Sequence, residues 1–169
     1  TESHQSALKL VAALSVSEER LQTISALHEQ LREQALRDPL TGLYNRRYLA
    51  EFFLRERAHA QRDNHSLALA LLDLDHFKAL NDGFGHLVGD DVLKALAAQL
   101  SGHLRSSDAL FRIGGEEFVL IMPGADAAVA LSRLQSLCHT LASTPLSTRD
   151  GPQAITVSIG LALWPAHGQ

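Results

Sequence analysis

The chain of 169 residues has room for one domain of ordinary size and an appendage. Its hydrophobic fraction of 46% supports a sizeable core, and 15 basic against 19 acidic residues leave a formal charge of −4. That balance excludes the basic field of a general nucleic-acid binder, but not a small phosphorylated ligand held by a few local charges.

The N-terminus carries neither an initiator Met nor the pattern of a signal peptide, so a fragment of a longer protein is expected. No apolar run approaches the roughly 18 residues of a membrane span, and a cytoplasmic location is expected for this part. Residues 6–37 contain no Gly or Pro and are rich in Leu, Ala, Glu, Gln and Arg, which favours helix. Leu14, Leu21 and His28 form one seven-residue series, and Leu10, Ser17, Ile24 and Leu31 form another. The seam suits a coiled coil, and it equally suits an amphipathic helix lying on its own domain. The helix should end at Asp38-Pro39, because the residue before Pro is pushed out of helical geometry. Two domains follow from this: a helical stalk over 1–37 and a main domain over 38–169.

A second helix is expected over 45–62, capped by Asn45, with a turn at 63–65. The continuous apolar run 66–72 reads as a central strand covered on both faces, closed by Asp73-Leu74-Asp75. A short polar segment with three glycines fills 77–89, and an amphipathic helix is expected over 90–104. Residues 109–113 and 118–122 read as a hairpin around Gly114-Gly115-Glu116-Glu117, whose glycines would supply unusual backbone angles. A further helix is expected over 125–141, where the single cysteine, Cys138, reads as a small buried residue. Residues 154–163 read as a last strand, with Gly160 at a close approach or bulge. Helices mixed with hairpin and crossover connections indicate an α/β sandwich built on a mixed sheet.

Asp73 ends a buried strand, where a carboxylate loses hydration and needs a cation or donors. Glu116 and Glu117 repel each other unless something positive lies nearby. A hairpin tip beside the end of the central strand would bring Asp73 and Glu116 together. Oxygen ligands without Cys or a dedicated His describe a magnesium or manganese site, whose other ligands are commonly phosphates. Phosphoryl or nucleotidyl transfer is therefore suggested. Between the two sites, backbone amides in a turn and the Lys78 ammonium suit phosphate. Asn81 and Asp90 suit the donor edge of a guanine. The nine histidines show no ligand spacing.

Four motifs in register resemble the GGDEF diguanylate cyclases: the entry 38–47, the run 73–82, the run 85–90 and Gly114-Gly115-Glu116-Glu117-Phe118, a GGEEF variant. The resemblance covers residues 38–169 and implies a nucleotidyl-cyclase-like fold, a central five-stranded mixed sheet flanked by helices. It implies condensation of two GTP into cyclic di-GMP and two pyrophosphates. Carried over by position, Asp73, the Leu74 carbonyl and Glu116 would bind Mg²⁺ or Mn²⁺, with Glu117 contributing. Glu116 would also help deprotonate the attacking 3′-hydroxyl. Asn81 and Asp90 would hold guanine, and the amides of Phe77 and Lys78, with the Lys78 ammonium, would face the terminal phosphates. Gly114 and Gly115 would let the backbone approach the nucleotide. Two domains would meet face to face as a homodimer, oriented by pairing of their stalks, downstream of a sensor that this chain does not cover.

Arg105-Ser106-Ser107-Asp108 matches the family's RxxD product-binding site, five residues before the GGEEF motif. Arg105 and Asp108 would then bind cyclic di-GMP and inhibit the enzyme; the same residues also suit a helix end with an Asp turn. Family domains continue into a helix with a Lys and an Arg for the GTP phosphates, so the C-terminal end is expected to be cut short at 164–169. The rival readings are a catalytically silent cyclic di-GMP receptor and a purely structural dimerisation module. Neither membrane nor nucleic acid is expected as a partner.

Overall fold

The computed structural model describes residues 2–166. The expected chain end at His167, Gly168 and Gln169 lies outside the described residues, as does Thr1. The chain divides into two compact units, 1–37 and 38–169.

The first unit is a single helix, α1 (Glu2–Leu36), which begins earlier than expected. Its i, i+4 pair Arg37–Glu33 (3.4 Å) adds the small support such surface pairs give. Leu10, Leu14, Leu21, Ile24 and Leu31, the apolar members of the two seven-residue series, are all exposed.

The second unit is a five-stranded sheet of order β1-β3-β4-β2-β7, with β1 (Tyr44–Asn45) parallel to β3 (Ala109–Arg112) and the other pairs antiparallel. The sheet is mixed, as expected. Asn45 caps α2 (Arg46–Asp63) by accepting from the Tyr48 amide at 3.3 Å, a bond of about 1 kcal/mol in such caps.

Strand β2 (Leu67–Leu74) is paired on both sides, with β4 (Glu117–Pro123) and with β7 (Val157–Trp164). Alternation turns Ala68, Ala70, Leu72 and Leu74 toward the larger core, with Val92, Leu96 and Leu100 of α4 (His86–Ser101) and Leu134 and Leu137 of α5 (Ala127–Ser143). On the opposite face α2 provides Phe52 and Ala60 against Leu67, Phe111, Val119 and Ile121. Each large side chain so buried contributes roughly 1.5–3 kcal/mol. That face has one helix over it, and Leu71 stays 41% exposed. The expectation of a strand covered on both faces is corrected there.

Further expectations change. The polar segment 77–89 is helical: α3 (Phe77–Phe84) packs Phe77 and Leu80 on the larger core. Gly85, at φ 88°, joins α3 to α4, so α4 starts four residues before the expected position 90. Strand β7 begins at Val157, and its register with β2 runs unbroken through Leu71↔Gly160, so Gly160 is no bulge. A Cβ there would meet nothing within 4 Å, since Gly160 lies beside the exposed Leu71 on the face that α2 covers only in part. Cys138 is partly exposed rather than buried. A small hairpin, β5 (Leu146–Thr148) and β6 (Gly151–Gln153), stands apart from the sheet. Among the described residues no helix is long and apolar enough to cross a membrane.

Candidate functional site

The end of β2 and the start of β4 meet at one corner of the sheet. Asp73 lies directly opposite Glu117 in the antiparallel register, and the Leu74 amide donates to the Glu116 carbonyl at 3.2 Å. The hairpin therefore brings Asp73, Leu74, Glu116 and Glu117 together, with Glu117 rather than Glu116 as the cross-strand neighbour of Asp73. The tip closes through Ile113 N–H to the Glu117 carbonyl at 3.0 Å.

The two glycines act differently from the expectation. Neither Gly114 nor Gly115 has positive φ. A Cβ on Gly114 would lie 2.8 Å from Glu117 Oε2, the far end of a flexible side chain that can turn aside, and Gly115 faces open space, so crowding within the tip requires neither glycine. The tip is instead held from outside by Arg112, a residue the sequence did not single out. Its guanidinium donates to the Gly115 carbonyl from Nε (3.2 Å) and Nη2 (2.9 Å), and from Nη1 to Asp38 at 3.2 and 3.1 Å. Asp38 also accepts from the Thr41 amide (2.8 Å) and hydroxyl (2.7 Å). Partial burial pushes the Asp38 carboxyl up, but these bonds from Thr41 and Arg112 hold it below the ordinary value.

Asp73, Glu116 and Glu117 have no cationic partner among the described residues. Like charges directly opposite on a sheet are destabilising. Hard oxygen donors without a cation fit a divalent ion of the magnesium or manganese type. Among the described residues no three His, Cys, Asp or Glu side chains already converge on one point. The expected ligand set is instead two carboxylates and the Leu74 main-chain carbonyl.

Past this corner, Phe77 and Lys78 are the first residues of α3, so their amides lack intrahelical acceptors and face outward at the positive end of the helix. One turn on, Asn81 packs on Gly89 of α4: a Cβ on Gly89 would collide with Asn81 Oδ1 and come within 3.2 Å of the Phe77 ring. Asn81 Oδ1 is buried without a hydrogen-bond partner. Such an orphan acceptor costs about 1–3 kcal/mol until a donor arrives. Asp90 follows Gly89 in α4 and is half-buried. A group with several N–H donors, such as a guanine edge, matches this pair.

Arg105 and Asp108 lie elsewhere, between α4 and β3. Arg105 is exposed, but Asp108 is only 1% exposed at its side chain. Its carboxylate accepts from the Arg105 amide at 2.7 Å and pairs with the Arg133 guanidinium of α5, one bond being 3.3 Å. Arg133 also donates to the His103 carbonyl at 3.4 Å. The geometry is that of an Asp turn locked by an ion pair, and the sequence had not indicated Arg133. A cavity of about 290 Å³ lies beside Arg133, lined by Leu72, Leu100, Leu104 and Leu137 among others; none of Asp73, Glu116, Glu117, Asn81 and Asp90 lines it.

Comparisons with known proteins show the family to which the chain belongs. The family model described as "Diguanylate cyclase, GGDEF domain" matches residues 35–169. Diguanylate cyclase DgcP of Pseudomonas aeruginosa is 44% identical over 149 residues, which cover 86% of this chain and 22% of that protein. Diguanylate cyclase DosC of Escherichia coli is 36% identical over 140 residues, covering 82% of this chain and 30% of that protein. The chain thus spans between a fifth and a third of the length of these curated relatives. The crystal structure of the coiled coil and GGDEF domain of DgcB from Caulobacter crescentus, in complex with c-di-GMP, matches with a TM-score of 0.81 at 33% identity. That match covers 91% of this chain and 82% of the other.

Proposed function

The chain belongs to the GGDEF family of diguanylate cyclase domains, and from that premise we propose that it condenses two GTP molecules into cyclic di-GMP, releasing two pyrophosphates. The observation that carries this reading is the corner where Asp73 faces Glu117 across the sheet with no cationic side chain paired to either among the described residues, next to the amides that open α3.

In this reading Asp73, Glu116 and the Leu74 carbonyl hold Mg²⁺ or Mn²⁺, with Glu117 contributing. A bound divalent ion supplies charge neutralisation on the phosphates and acidifies a coordinated hydroxyl. The protein's own groups do the rest. Asn81 Oδ1 and the Asp90 carboxylate accept the guanine N–H donors. The Phe77 and Lys78 amides and the Lys78 ammonium hold the terminal phosphates. Gly114 and Gly115 leave room for the nucleotide at the tip. Glu116 takes the proton as the 3′-oxygen of one GTP attacks the α-phosphorus of the other and the bond to pyrophosphate breaks. The same step in the opposite sense closes the ring, so two domains must face each other.

The exposed heptad residues of α1 support pairing of two stalks, as does likeness to a structure that contains a coiled coil. A sensor in the longer protein would act through that stalk, in the cytoplasm where GTP is available. Product inhibition at Arg105 and Asp108 requires the Asp108–Arg133 pair to open or to be shared with the ligand.

The test is turnover of GTP with Mg²⁺, on this chain and on one extended beyond Gln169. Cyclic di-GMP from either supports the cyclase. Silence from both, with cyclic di-GMP still bound, replaces it with the receptor reading.

A further inference from the structure

After β2 the chain has two residues, Asp75 and His76, in which to turn into α3. His76 takes the left-handed conformation at φ 58° and offers α3 no side-chain cap. That conformation is costly for a residue with a Cβ, so something else must hold the turn. The restraint comes from the far strand. Asp75 Oδ1 accepts from Ser158 Oγ at 2.6 Å, and Oδ2 accepts from Thr156 Oγ1 at 2.7 Å. The Asp75 amide donates to the Thr156 carbonyl at 3.0 Å. The backbone bond carries the β2–β7 ladder one step beyond its last register pair, Leu74↔Val157, and the two side-chain bonds brace it. Ser158 is itself the residue opposite Asp73. Short bonds to an ionised carboxylate are among the stronger ones available at a surface.

We propose that Asp75 is a positioning residue: its two-oxygen clamp on Thr156 and Ser158 fixes the turn that presents the Leu74 carbonyl on one side and the Phe77 and Lys78 amides on the other. The proposal rests on the cyclase reading for its functional consequence, and on geometry alone for the clamp. Asp75 acts through the backbone it holds. Asp73, two residues earlier, keeps its carboxylate for the acidic corner.

The variant that tests it leaves Asp75 in place and removes both donors: Thr156→Val with Ser158→Ala in the full chain. Two readouts are taken, hydrogen exchange of the amides over 74–80 and steady-state turnover of GTP with Mg²⁺. The clamp predicts faster exchange confined to that segment. It also predicts a kcat/KM lowered about tenfold, within the range that small misplacements cost, with a raised Mg²⁺ requirement. Thr156→Ser with Ser158→Thr keeps both hydroxyls and should behave as wild type, which a loss of general stability would not explain. Should the double variant fail to fold, Ser158→Ala alone gives the same readouts. Unchanged exchange overturns the clamp whatever the activity. Wild-type turnover by the Val/Ala variant, when Asp75→Asn loses it, overturns the positioning role and makes Asp75 a ligand in its own right. A wild-type chain without turnover, but with the exchange effect present, keeps the clamp and removes the cyclase reading instead.

Discussion

Two kinds of acid stand on this domain. Asp38, Asp91 and Asp108 each meet an arginine: Arg112, Arg149 and Arg133 in turn. Asp73, Glu116 and Glu117, gathered where β2 ends and β4 begins, meet none among the described residues. The arginine-paired acids fasten elements together: Arg112 links the domain entry to the hairpin tip, Arg133 ties α5 to the turn before β3, and Arg149 ties the small hairpin to α4. The unpaired group fastens nothing and carries a mutual repulsion that the fold tolerates. In the cyclase reading proposed above, a divalent cation arriving with the substrate would relieve that repulsion.

The contrast is broken most severely by Glu116→Gln with Glu117→Gln. Turnover of GTP should fall at least about a hundredfold, the lower end of what a positioned acid–base group contributes. The thermal midpoint should stay or rise, because the charge opposite Asp73 is gone. Next in size is Asp108→Ala, which strands Arg133 beside a nearly buried site. It should lose about 3 kcal/mol in urea unfolding, the scale on which a buried pair fails when one partner is removed. Adding Arg133→Leu should recover most of that loss, whereas no second substitution should restore the Glu116/Glu117 variant.

Gly89→Ala falls between the two groups. The new methyl pushes Asn81 from its place, at a cost of about 1–3 kcal/mol for overpacking, and KM for GTP should rise. The smallest effect belongs to the exposed Arg149–Asp91 pair. Hydrogen bonds from the Arg149 side chain and amide hold the Asp91 carboxyl down at about 2, against an ordinary 3.8. Its stabilisation is therefore complete above the ordinary value and disappears as pH falls through about 2. The difference in thermal midpoint between wild type and Arg149→Ala should be small at neutral pH, shrink between about pH 4 and pH 2, and shrink further in high salt.

Much of this was legible in the residues themselves. Asn45 read as a helix cap and is one, and the continuous apolar run at β2 and the Gly-Gly-Glu-Glu tip gave the hairpin and its acidic corner. The losses have physical causes. Helix α3 turns only Phe77 and Leu80 to the core, too few positions to show a helical period, and Gly83 reads as a breaker. Strands β1, β5 and β6 have two or three residues each, below the reach of a period-two pattern, although Asp150-Gly151 carried a turn signal that could have found the small hairpin. Arg133 pairs with Asp108 across 25 residues and Arg112 with Asp38 across 74, so both contacts exist only once the sheet has formed. The orphaned Asn81 oxygen likewise depends on Gly89 closing over it.

The central claim is that the unpaired corner is a cation site serving a bound guanine nucleotide. Its most direct measurement is Mn²⁺ titration of the wild-type chain and of the Glu116→Gln, Glu117→Gln variant, each with a non-hydrolysable GTP analogue, followed by electron paramagnetic resonance. The account predicts Mn²⁺ binding in the wild type and an affinity at least about tenfold weaker in the variant, the least that disturbing a metal's ligand set costs. Equal Mn²⁺ affinity in the two proteins would contradict it.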